Sequence, residues 1–230
     1  MNPSPAEPHG SLQHILADAE ALLLDFDGPV CSVFAGFPAN IVADQLRDVL
    51  IQGGHADLPP SIVLSLDPFD ILFHAAKLGG DEARYVEAAF TAHEVDAIKY
   101  AVPTPNAHEF IRSWHKTSRP VAIVSNNSST AIEAYCLMHD LSDDVAVISA
   151  RGFADPTRLK PNPFLLNQAL DALAICPGRT VFIGDSKTDI QAGRAAGVRC
   201  IGFANSARKI GMFSVMAVPT MDRFPLEGLT

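Results

Sequence analysis

The sequence predicts an α/β fold, a doubly wound parallel sheet carrying a small inserted α-helical domain. Three observations predict it. Five short apolar runs, Ala21–Asp25, Pro120–Ser125, Val145–Ser149, Thr180–Asp185 and Arg199–Phe203, are continuous rather than alternating, as strands buried on both faces are. Helical patterns stand between the later runs, the alternation of a doubly wound sheet. The first two runs are separated by almost a hundred residues, far more than one crossover helix needs.

Each element has its own local reason. Asn106–Trp114 sets Phe110, Ile111 and Trp114 on one helical face, and Ser128–Met138 follows a run of good N-cap residues. Asn162–Leu173 repeats Phe164, Leu165, Gln168, Ala169 and Ala172 at helical spacing, with Pro163 tolerated in the first turn. The long gap holds no strong strand run but three helical stretches, Ala39–Ile51, Pro68–Leu78 and Asp81–Ile98, punctuated by Gly53–Gly54, Pro59–Pro60 and Gly79–Gly80. The expected organisation is a flexible tail over 1–19, a core over 20–32 and 103–230, and a helical cap over 33–102. Within the cap, Phe34, Phe37 and the 39–51 stretch are expected to face the gap between the two parts.

Bulk composition excludes several classes. At 230 residues, 48% hydrophobic and 19% charged, the chain has the balance of a soluble globular protein. A formal charge of −9 leaves no basic footprint for nucleic acid. No apolar run approaches a membrane span, and Met1–Gly10 holds neither the charged nor the apolar part of a signal peptide. Cys31, Cys136, Cys176 and Cys200 form no CxxC pair and read as reduced packing residues of a cytoplasmic protein. A homodimer and a monomer both remain open.

Four polar constellations sit at strand ends, the edge where open α/β sheets bind ligands. Asp25-Phe26-Asp27-Gly28 follows the apolar ALLL and sets two carboxylates on one side of an extended chain, with Gly28 permitting close backbone approach. Ser125-Asn126-Asn127-Ser128 offers hydroxyls, amides and a helix N-terminus suited to an anion. Lys160, fixed ahead of Pro161 and Pro163, supplies a point charge. Gly184-Asp185-Ser186-Lys187-Thr188-Asp189 places two carboxylates one helical turn apart. Asp185, at the end of the apolar TVFI, is costly to bury without a cation.

In this order, each on its own strand, the four motifs resemble those of the haloacid dehalogenase-like (HAD) hydrolase superfamily: DxDG, a strand-terminal Ser or Thr, a Lys, and GDxxxD. The resemblance runs from about Ala21 to Phe203. It implies a Rossmann-like sheet with the DxD strand flanked by the Ser and GD strands, and a helical cap after the first motif. It also implies a phosphohydrolase acting on a small phosphorylated metabolite. Asp25 would be the nucleophile and Asp27 the acid and base. Mg²⁺ would be held by Asp25, the Asp27 carbonyl and Asp185, with Asp189 in support. Gly28, Ser125, Asn126 and Lys160 would hold the phosphoryl group.

Asp27 favours a phosphate ester or anhydride over the dehalogenase and phosphonate chemistries of similar proteins that lack it. Gly28 is followed by Pro29, where relatives carry Thr, so a hydroxyl and an N–H are missing beside Asp27. Two alternatives accompany the phosphatase reading: a phosphomutase, whose sugar-gripping candidates are Arg47, His74, Lys77 and Arg84, and an inactive binding module.

Overall fold

A computed structural model describes residues 12–226. In chain order the core opens with α1 (Leu12–Ala17), β1 (Ala21–Leu24) and β2 (Cys31–Ser32). Four helices follow, α2 (Ala39–Gln52), α3 (Pro60–Val63), α4 (Pro68–Leu78) and α5 (Gly80–Ile98), before β3 (Val102–Pro103). Then come α6 (Ala107–His115), β4 (Val121–Ser128), α7 (Ser129–Met138), β5 (Val147–Arg151) and α8 (Phe164–Leu173). The chain finishes with β6 (Thr180–Gly184), α9 (Lys187–Ala195), β7 (Arg199–Phe203), α10 (Ala207–Val215) and β8 (Thr220–Met221).

The main sheet has the order β5-β4-β1-β6-β7-β8, parallel throughout. β1 is central, and all four of its residues are fully buried. Its alternation divides the core: Leu22 and Leu24 join Val121, Ile123, Val181 and Ile183 on one face, while Leu23 joins Ala122, Val124 and Phe182 on the other. Burial of each such leucine contributes about 1.5–3 kcal/mol, which makes the continuous apolar run the reason β1 lies innermost. The second face also packs Val42 and Leu46 of α2, Ile71 and Leu72 of α4 and Phe90 of α5.

β1 therefore lies between β4 and β6, pairing Leu24 with Ile123 and with Ile183. The residues that follow these three strands, or end them, converge on one sheet edge. Asp25, Ser125 and Asp185 are brought together by this topology alone.

The sequence reading requires corrections at the ends and linkers. Residues 1–11 of the tail expected over 1–19 lie outside the described residues, but Leu12–Ala17 is helical with Leu16 only 3% exposed. Its apolar Leu12, Ile15 and Leu16 pack on the main core, which holds this part of the expected tail in place. β2 and β3 form a short antiparallel ribbon, Cys31 opposite Pro103 and Ser32 opposite Val102, where the chain enters and leaves the four helices. Phe34 and Phe37 pack into the two apolar clusters. β8, reached through α10, adds a sixth strand to the five expected. Among the described residues no helix is long and apolar enough to cross a membrane.

Candidate active site

At the sheet edge, carboxylate oxygens of Asp25, Asp185 and Asp189 all lie within 4.8 Å of one another. Lys160 binds them together. Its Nζ is 2.7 Å from Asp25 Oδ1 and 2.7 Å from Asp189 Oδ1, and it donates to the Val124 carbonyl at 3.0 Å. Three carboxylates against one shared ammonium leave an excess of negative charge, and Lys209 offsets part of it by reaching Asp185 Oδ2 at 2.6 Å.

The titration of these groups follows from that crowding. Burial, and after it the Asp189 charge, push Asp25 well above the usual carboxylate range, while Lys160 works in the opposite direction. Asp185 is raised, by burial first, against the pull of Lys209. Burial also opposes ionisation of Asp189, but Lys160 and hydrogen bonds from Ser186 overcome it and hold Asp189 below its ordinary value. Burial would lower Lys160; Asp189 and Asp25 reverse this and raise it.

Asp189 is fixed by the capping box that opens α9. Its Oδ2 accepts from the Ser186 N–H at 2.9 Å, the Ser186 hydroxyl at 2.6 Å and the Asp185 N–H at 3.1 Å. Its Oδ1, fully buried, faces the Lys160 ammonium at 2.7 Å. Three carboxylates within 4.8 Å of one another, with a single ammonium between two of them, form a hard oxygen donor set that fits a divalent cation rather than a soft, sulfur-seeking one.

Asp27 stands apart from this trio. Its Oδ1 accepts the Val33 N–H at 2.9 Å, and burial raises its carboxyl to about 6, with Asp185 adding to the rise. Pro29 leaves no hydroxyl beside it, yet Thr104, on the returning linker, donates to the Gly28 carbonyl at 2.6 Å. The hydroxyl missing from the motif is thus supplied by a residue 76 positions away.

Several sequence expectations change here. The Gly28 N–H, expected near phosphate, is donated to the Cys31 carbonyl at 2.6 Å. Gly28 instead makes room: at φ +106°, a Cβ there would fall 2.2 Å from Asp185 Oδ2. The side chain of Asn126, a residue expected on phosphate through its backbone or its side chain, clasps the Lys160 backbone through both ends, accepting from its N–H at 2.8 Å and donating to its carbonyl at 3.1 Å. Of the Asp27 side chain, no oxygen belongs to the three-carboxylate cluster. Ser125 is buried and its hydroxyl donates to Asn127 Oδ1 at 3.1 Å.

A cleft of about 300 Å³ opens over the site, lined on the core side by Asp25, Asp27, Ser125, Lys160 and Asp185. Its other wall is α4 and its N-cap, with Asp67, Phe69, Asp70 and Phe73, rather than the 39–51 stretch. None of Arg47, His74, Lys77 and Arg84 lines it. Arg47 is committed to the Ile62 and Ser65 carbonyls and to Asp44. Arg84 pairs with Asp81.

Sequence reasoning missed three contributors. Lys209 follows the β7 strand, and the rule that strand ends face the site could have found it. Glu94 and Arg151 left no signal, since Glu94 is one of several acidic residues of α5 and Arg151 is a single charge at the end of β5. Both are fully buried: Glu94 accepts from Asn127 Nδ2 at 2.9 Å, from the Ser128 N–H at 2.9 Å and from Arg151 Nη2 at 2.5 Å.

Phosphoglycolate phosphatase of Aliivibrio fischeri is 35% identical over 101 residues, 44% of this chain and 42% of that protein. The chain thus spans about two fifths of the length of the first curated relatives it matches. A longer match, 24% identical over 204 residues, covers 84% of this chain and 82% of phosphoglycolate phosphatase from Neisseria meningitidis. Among solved structures, CbbY of Rhodobacter sphaeroides in complex with phosphate superposes with a TM-score of 0.55 at 21% identity, covering 80% of this chain and 85% of that one. A HAD-superfamily hydrolase from Ehrlichia chaffeensis gives 0.54 at 19%, covering 90% and 92%. These two share the fold. The family model described as haloacid dehalogenase-like hydrolase matches residues 19–197, and the chain belongs to that family.

Proposed function

We propose that the protein is a Mg²⁺-dependent phosphatase that hydrolyses a small phosphate monoester through a phosphorylated Asp25. The observation that carries this reading is the convergence of Asp25, Asp185 and Asp189 within 4.8 Å, with Lys160 bridging two of them. The phosphatase names of the curated relatives support it.

In this account an Asp25 oxygen attacks phosphorus as the ester P–O bond breaks. Asp27 gives its proton to the departing alkoxide; a carboxyl raised to about 6 keeps a useful protonated fraction near neutrality. Water then attacks phosphorus, Asp27 takes its proton, and the Asp25–phosphorus bond breaks to release phosphate. Ser125 and Lys160 hold the phosphoryl oxygens. Asp25, Asp185 and the Asp27 carbonyl, with Asp189 in support, would hold Mg²⁺, which would supply positive charge that keeps Asp25 ionised and screens it from the anionic substrate. Helices α2–α5 act as a cap that shelters the cleft from water. The free cysteines, two of them buried, suit a cytoplasmic setting.

The test is hydrolysis of p-nitrophenyl phosphate. Wild type requires Mg²⁺ and loses activity in EDTA, and Asp25→Asn loses about a thousandfold or more, as a removed nucleophile does. Full activity in Asp25→Asn contradicts the mechanism.

A further inference from the structure

The alcohol half of the substrate meets the α4 wall, whose chemistry is narrow. Phe69 and Phe73 are four residues apart and share one helical face. Phe69 rests edge-on against Phe90 at 5.0 Å, while Phe73 stays 37% exposed. Asp67 Oδ1 accepts the Phe69 N–H at 2.9 Å, and Asp70 Oδ2 accepts the Ser65 hydroxyl at 2.6 Å. Both carboxylates are oriented, and each has a second oxygen.

No cation answers them. Lys160 is the one positively charged residue lining the cleft among the described residues, and it is held between Asp25 and Asp189. Lys209 lines a neighbouring recess with Lys187 and Arg208, its ammonium shared between Asp185 and Asn205. Asp67 and Asp70 are exposed to the cleft, and a leaving group bearing a carboxylate would be brought against these two like charges. A cation is attracted by the same carboxylates and by the face of an aromatic ring.

We propose that the alcohol half of the substrate carries a protonated amine or quaternary ammonium, recognised by Asp67, Asp70 and Phe73. This rests on the phosphatase reading above and assigns its substrate class. It runs opposite to the carboxylate-bearing phosphoglycolate for which those relatives are named. Asp67 and Asp70 also suit the start of a helix on dipole and capping grounds. Asn caps equally well but carries no charge, so substitution separates the two roles.

The experiment compares kcat/KM for ethanolamine phosphate, choline phosphate and 2-phosphoglycolate with Mg²⁺ present. Wild type favours ethanolamine phosphate over 2-phosphoglycolate by at least about tenfold, the scale of one charge contact in a cleft of intermediate dielectric. In the double variant Asp67→Asn, Asp70→Asn the ratio falls to near one through a rise in KM for the amine, with Tm retained. Calorimetric binding of the same phosphates to Asp25→Asn gives the same ranking without turnover, so failure of the nucleophile assignment leaves this readout intact. Equal or better use and binding of 2-phosphoglycolate by wild type, or an amine preference that survives the double variant, overturns the proposal.

Discussion

Gly28 shows how one missing side chain shapes the candidate site. Its φ of +106° is open to glycine, and the space a Cβ would fill is taken by the Asp185 carboxylate. Gly28→Ala is expected to cost about 1–3 kcal/mol in backbone strain and to displace Asp185 as well. Activity should therefore fall much further than stability, a split that parallel kinetics and urea unfolding would reveal. Thr104 acts more gently. Thr104→Val removes the hydrogen bond to the Gly28 carbonyl and should cost about 0.5–1.5 kcal/mol, with a drop in kcat if that bond steadies Asp27. An unchanged kcat would mean that the Val33 N–H alone positions the acid.

At the scale of elements, α5 and the strand-end loop of β4 are locked by buried charge. Arg151, fully buried, binds Glu94 at 2.5 Å, Glu87 at 2.7 Å and the Asn126 carbonyl at 3.1 Å, with Phe90 under its guanidinium at 4.5 Å. Glu94→Ala strands that guanidinium and is expected to cost about 3–5 kcal/mol, read by denaturant unfolding; a loss below 1 kcal/mol would show the pair to be dispensable. Such a network is invisible in sequence because its partners lie 57 residues apart and follow no period. The five sheet strands were legible because an apolar run buried on both faces has no polar interruptions. β2, β3 and β8 were not, since two residues are too few to display a pattern. The motif residues Asp25, Ser125, Lys160 and Asp185 were legible one by one. The backbone hydrogen bonds of Gly28 and Asn126 were not legible, because sequence does not tell which polar groups the backbone will consume.

For the whole molecule, sheet order converts four scattered motifs into one edge, and α4, one of the four helices between β2 and β3, walls the cleft above it. The cluster so formed holds more negative charge than its two lysines neutralise, so a divalent ion should stabilise the folded state by mass action. Mg²⁺ at a hundred times its Kd would add about 2.7 kcal/mol, seen as a rise in Tm that Asp185→Asn abolishes. The account as a whole stands on phosphate passing through Asp25. Acid quenching during steady turnover of p-nitrophenyl phosphate with Mg²⁺, followed by peptide mass spectrometry, tests this most directly. The account predicts a phosphoryl group on Asp25; continued hydrolysis with Asp25 unmodified, or with the phosphoryl group on another residue, would contradict it.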